Sequence, residues 1–142
     1  MTRPLLDINV MIDLFLLRQP WFPESAALWD ANRKGRIQAH FSSAAVPTLF
    51  YLMRKQVGLS LAHDAVAKCV NALIMIPVRL STLKLAVGGP GSDFEDNLQI
   101  ACAVEANVDA IITRDAKGFS ASPIFALTPT EYLARINFAP KA

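Results

Sequence analysis

The chain has 142 residues, 53% of them hydrophobic and only 18% charged, with a formal net charge of +2. That balance excludes a disordered chain, and at this length one folded domain over residues 1–142 is expected. No apolar run approaches the length of a bilayer span, so no membrane association is expected; the positive mean hydropathy points to a buried sheet or a sticky interface.

The start, MTRPLLDINV, carries an Asp inside its apolar part and no small-residue cleavage site, so it is not expected to be a signal peptide. Leu5 and Leu6 read as a short buried strand that runs out into Asp7. Asn9 is the expected N-cap of a helix over Val10 to Leu17. Arg18 to Pro23 is a loop broken by two prolines, and Pro23 or Glu24 starts a helix that Gly35 stops. Ile37 to Phe41 reads as the second strand. Ser42 or Ser43 is expected to cap a helix over Ala44 to Val57, ended by Gly58, and Ser60 to cap another through about Leu73. Ile74 to Val78 is the third strand, and Ser81 opens a short helix toward Val87.

The glycine-rich stretch Gly88 to Ser92 is expected to be the most flexible of the chain. After it comes a helix from Asp93 to about Asn107, a strand Asp109 to Thr113, a loop, a strand over PIFAL and a last helix. Thr128, Pro129 and Glu131 form a T-x-x-E capping box with proline at the first helical position. Strands alternating with helices mean crossover connections, hence an α/β fold on a largely parallel sheet. Cys69 and Cys102 lie far apart inside predicted helices without metal-ligand spacing, which suits buried free thiols in a reducing, cytoplasmic compartment.

Three acids stand out from this frame. Asp7 and Asp115 each follow an apolar strand, at the sheet edge where open α/β folds keep their ligands. Asp96 shares a helical face with the apolar Ile100 and Ala103, whereas Glu95 is accounted for by an S-x-x-E capping box with Ser92, and Asp93 by the helix dipole. Carboxylates gathered at one edge repel, and a cation relieves them. Hard oxygen donors without cysteine select Mg2+ or Mn2+ over zinc. Such a metal suits hydrolysis of phosphate esters.

LLDINVMIDLFL, DFEDNLQIACAVEANVDAIITRD and FALTPTEYL, in that order, resemble PIN-domain proteins, nearest to the VapC-type ribonuclease toxins and their PilT N-terminus-like relatives. The resemblance implies a PIN-like α/β/α sandwich, Mg2+- or Mn2+-dependent cleavage of RNA, an antitoxin partner and a homodimer. It carries the family's acids onto Asp7, Asp96 and Asp115, with Asn9, Asp93 and Thr113 in support. In two places the chain departs from the family: Ile8 stands where a small hydroxyl residue is usual, and Thr48 stands where the family has a Glu. The second departure removes one acid of four, which implies weaker metal binding and reduced activity.

RNA binding needs cations. Arg18, Arg54, Lys55, Arg114 and Lys117 are the candidates, each also readable as a solvated surface charge. His40 reads as a core residue, and Trp21, Phe22 and Trp29 as a partner-binding patch or a satellite core. Two other functions stay open. A non-catalytic PIN-like module that binds RNA or protein would suit Thr48. A phosphatase of the haloacid dehalogenase type is suggested by the Asp7-x-Asn9 strand end, although that chemistry wants an acid at position 9.

Overall fold

Residues 2–141 are described by the structure, a computed structural model. Its sheet is built from five very short strands: β1 (Pro4–Leu6), β2 (His40–Ser42), β3 (Ile74–Ile76), β4 (Ala110–Ile112) and β5 (Ala126–Leu127). Around them run α1 (Ile8–Phe15), α2 (Phe22–Arg33), α3 (Ala45–Val57), α4 (Leu59–Ala72), α5 (Leu80–Val87), α6 (Phe94–Glu105) and α7 (Pro129–Arg135). All strand pairs are parallel, in the order β3-β2-β1-β4-β5. Side chains alternate across a strand. Leu6 and Ile112 therefore enter one core, with α1 to α4 and α7, while Leu5 and Ile111 enter a second core, with α6. Burial of each Leu or Ile is worth roughly 1.5–3 kcal/mol. Strands this short are held mainly by cover on both faces.

The chain builds outward from β1 to β2 and β3, then crosses back to lay β4 on the other side of β1. That reversal makes the gap between β1 and β4 the topological switch point, where α/β sheets open a crevice at the strands' carboxyl ends. Leu6 pairs with Ile112 in register, so Asp7 and Thr113 leave the sheet side by side.

Several local expectations shift. Asp7, not Asn9, is the N-cap of α1, its carboxylate accepting the Ile8 N–H. The second strand begins three residues later than its sequence suggests, because pairing with β3 sets His40 opposite Ile74; Ile37 makes only an isolated bridge to Thr2. Neither Ser42 nor Ser43 caps α3: Ala44 occupies that position without a side-chain bond, while the Ser42 hydroxyl accepts the Ala44 N–H. Ser60 lies inside α4, whose N-cap is Gly58 at φ +89°, a turn that glycine alone adopts cheaply. Ser92 and Glu95 form no capping box; Asp93 caps α6 by accepting the Asp96 N–H. The T-x-x-E box of α7 forms as expected, Thr128 Oγ1 accepting the Glu131 N–H at 3.2 Å and Glu131 the Thr128 N–H at 2.9 Å. Asn97 clasps the glycine-rich loop at both ends of its amide, accepting the Gly91 N–H and donating to the Gly91 carbonyl. Cys69 and Cys102 are buried free thiols, and burial pushes the Cys69 thiol up to about 12.

Candidate active site

At the end of β1 the Asp7 carboxylate is held from three directions. Oδ1 accepts the Ile8 N–H at 2.7 Å and Gln99 Nε2 of α6 at 3.1 Å. Oδ2 accepts the Thr113 hydroxyl at 2.9 Å and Asn9 Nδ2 at 3.4 Å. Thr113, fully buried past the end of β4, is the hub: its oxygen also accepts Asn9 Nδ2 at 3.1 Å and the Asp115 N–H at 3.0 Å. Asn9 closes the set by accepting the Arg114 N–H. The Asn9 amide thus ties the first turn of α1 to the segment after β4, while the cap of α1 falls to Asp7.

Asp96 sits half-buried at the start of α6, and Asp115 is exposed on the turn after β4. Burial first, then the like charges of Asp93, Asp7, Asp115 and Glu95, push the Asp96 carboxyl above the ordinary carboxylate range. Gly118, in the 3-10 turn Ala116–Phe119, lets these acids approach. A Cβ there would lie 2.8 Å from Asp115 Oδ2 and 3.4 Å from Asp96 Oδ2.

Two cavities flank Asp7. The first, about 290 Å3, is floored by Asp7, Ser42, Asp96 and Gln99 and walled by Thr48 and Phe94. The second, about 330 Å3, continues from Asp7 past Asn9 and Gln56 to Arg18 and Arg114. Thr48, half-buried on the first turn of α3, lines both.

Of the candidate RNA-binding cations, Arg18 and Arg114 line the second cavity, while Arg54 and Lys55 lie exposed on the last turn of α3 and Lys117 lies exposed in the 3-10 turn. Arg114 is firmly held. Its Nε and a terminal nitrogen donate to the two oxygens of Asp13, which is fully buried, and its guanidinium lies 4.1 Å from the Trp21 ring centroid. Sequence reading passed over Asp13, Trp21's role as a platform and Gln99. Asp13 was visible as an acid inside an apolar run, four residues after Asn9. Gln99 was visible one turn beyond Asp96. Trp29 packs edge-on against Phe15 beside the first core, and His40 is buried in β2.

The donors fit a hard divalent cation in kind: carboxylate oxygens with an excess of negative charge at one edge. Two features agree with this. The Gly118 cradle leaves room between Asp96 and Asp115, and Gln99 Oε1 is buried without a hydrogen-bond partner. Among the described residues no three His, Cys, Asp or Glu side chains converge closely enough to hold an ion directly. Mg2+ commonly keeps several of its own waters and needs only one or two carboxylates.

A family model for the PIN domain matches residues 3–117. No curated protein sequence matches the chain. Among solved structures the chain is similar to VapC20 of Mycobacterium tuberculosis, described as a sarcin-ricin loop cleaving toxin. There the TM-score is 0.69 at 14% identity, over 85% of this chain and 95% of that one. DNA-bound VapBC from Salmonella typhimurium is similar with a TM-score of 0.69 at 15% identity, over 91% and 99% of the two chains. A toxin–antitoxin complex from Klebsiella pneumoniae gives 0.66 at 21% identity, over 89% and 97%. At such identities the likeness establishes a shared α/β fold.

Proposed function

The chain belongs to the PIN-domain family, and on that premise we propose that it is a Mg2+- or Mn2+-dependent endoribonuclease, formed as one domain and acting as the toxin of a toxin–antitoxin pair. The observation that supports this reading is the placement of Asp7 at the switch point between β1 and β4, with Asp96 lining the same cavity and Asp115 brought near Asp96 beside Gly118. A bound divalent ion would supply a Lewis acid that activates water and neutralises charge on the phosphate oxygens.

The chain's own residues do the rest. Thr113, Asn9 and Gln99 fix both oxygens of Asp7, so its orientation is set before substrate arrives. Asp96 and Asp115 complete the acidic face, with Asp93 ordering the first turn that carries Asp96. Arg18 and Arg114 place positive charge beside Asp7 for the RNA backbone; Arg54, Lys55 and Lys117 would act farther along the strand. A phosphatase of the dehalogenase type would need an acid at position 9, where Asn9 instead donates to Asp7 and Thr113.

With Thr48 in place of the family's Glu, the α3 side of the site brings no charge, and this supports either reduced activity or a non-catalytic module that binds RNA or protein. An antitoxin partner is supported by the complexes that the similar structures contain. Titration of the protein with Mn2+ and cleavage of single-stranded RNA, each compared with Asp7→Asn, test the reading. The expected outcome is metal binding and cleavage in the parent, with both lost or strongly weakened in the variant. Equal heats and no cleavage in either protein would reject it in favour of the binding module.

A further inference from the structure

Phe94 is an aromatic residue at the acidic site with no structural duty to explain it. It opens α6 directly after the Asp93 cap, and 47% of it is exposed. Among the described residues it joins neither of the two cores. The other exposed aromatic rings are engaged: Arg114 lies over Trp21, Arg135 over Phe125, and Tyr51 packs edge-on against Phe50. Phe94 instead lines the first cavity, with Asp7 and Asp96. Among the described residues it is the only aromatic one to line either cavity at Asp7.

The two cavities differ in charge. The first presents three carboxylates, Asp7, Glu95 and Asp96, and among the described residues no Lys, Arg or His. The second holds Arg18 and Arg114, which offset the acids it shares with the first. An RNA phosphate is therefore drawn to the second cavity and repelled from the first. The uncharged part of a nucleotide, its base, is what the first accepts. Ile8, Ala45 and Leu98 supply apolar surface beside Phe94, and Thr48 is short and neutral. The volume, about 290 Å3, suits one ring system and not a stack of several. Because Asp7, Ile8 and Thr48 line both cavities, one strand can place a base in the first and its backbone in the second.

We infer that the first cavity is a nucleobase subsite, in which one unpaired base of the RNA strand stacks on Phe94 while the backbone follows Arg18 and Arg114. Stacking on an aromatic side chain needs a base turned out of its own helix, and every base has a face to offer. The inference rests on the ribonuclease reading and adds to it the residue that grips the substrate's base.

The test separates an aromatic face from mere apolar surface. Cleavage of a single-stranded RNA octamer in Mn2+ is followed for the parent, Phe94→Trp and Phe94→Leu. Phe94 is about half exposed and outside both cores, so all three proteins should melt at the same temperature. Phe94→Leu should lose about tenfold in kcat/KM, chiefly through KM, the usual cost of one lost stack, whereas Phe94→Trp should stay within about twofold of the parent. Octamers with one abasic position each then locate the stacked base. At one position the missing base should cost the parent about tenfold and cost Phe94→Leu nothing further, since the two changes remove the same contact. Phe94→Leu that cleaves as well as the parent, Phe94→Trp that is as poor as Phe94→Leu, or no abasic position whose cost vanishes in Phe94→Leu overturns the subsite. In each of these cases a parent that cleaves leaves the ribonuclease reading standing, and only this inference falls. A parent that does not cleave the octamer overturns both.

Discussion

Single residues carry contrasting loads. Asp13 has no exposed surface, and its only ion pair among the described residues is the forked one to Arg114. Removing one partner of a buried pair strands the other charge, at about 3–5 kcal/mol, while replacing both by apolar residues is often close to neutral. Arg114→Ala is therefore expected to lose about 3–5 kcal/mol in urea unfolding, and Asp13→Leu with Arg114→Leu to recover most of it. Comparable losses in the two proteins would mean that packing against Trp21, not the charge, sets the cost. His40 shows the opposite case. Burial, then the Arg3 guanidinium, depress its pKa, although a bond to the Gln38 carbonyl partly offsets them. In the unfolded chain it takes up a proton near its ordinary value of 6.5; in the folded protein it does so only at lower pH. Stability present above pH 6.5 is therefore lost as the pH falls toward the folded value. Melting temperatures at pH 7.5 and 5.5 should show this drop in the parent and a smaller one in His40→Gln.

Elements owe their positions to latches of this kind as much as to their own propensities. The loop before α6 is rich in glycine, yet Asn97 holds it through two bonds to Gly91, and Gly89 has no room for a side chain. A Cβ on Gly89 would fall 2.6 Å from Asn97 Cγ. Gly89→Ala should cost about 1–3 kcal/mol by overpacking. Adding Asn97→Ala removes the shortest of the contacts, although the Cβ of residue 97 at 2.8 Å and the Ala86 carbonyl oxygen at 2.9 Å remain, so the pair should cost less than the sum of the single changes, a coupling that a double-mutant cycle in urea reads directly. Additive costs would show that the loop yields without touching Asn97. Because α6 carries Asp93, Glu95, Asp96 and Gln99, the same latch also bears on how the acidic face is presented.

At the scale of the whole molecule, Tyr51, Leu59, Leu61, Leu80, Val87 and Phe125 are each more than half exposed. No helix among the described residues is long and apolar enough to cross a membrane. Exposed apolar side chains of this kind suit association with another protein surface. We expect a homodimer, with an antitoxin segment over the acidic edge. Sedimentation velocity at micromolar concentration should give the mass of two chains, and a clean monomer there would count against it.

Much of this protein was legible in its sequence because the signals were local. Apolar pairs such as Leu5–Leu6 and Ile111–Ile112, turn residues and the Thr128–Glu131 box act within a few residues of chain, and they yielded the βαα alternation and the parallel sheet. Asp7, Asp96 and Asp115 stood out for a related reason, since acids that break apolar runs must find solvent, a partner or an ion. What only the tertiary structure decided depends on groups far apart along the chain. Asn9 bonds to Thr113, 104 residues away, while the cap passes to Asp7, and β2 was shifted by its register with β3. Asp13 gained its partner from position 114. Glu95 looked like a helix cap until Asp93 took that place, and the meeting of α3 with α6 brought it beside Thr48. Side chains on helices separated by about a third of the chain meet only through packing, and no local pattern records which of them share a cavity.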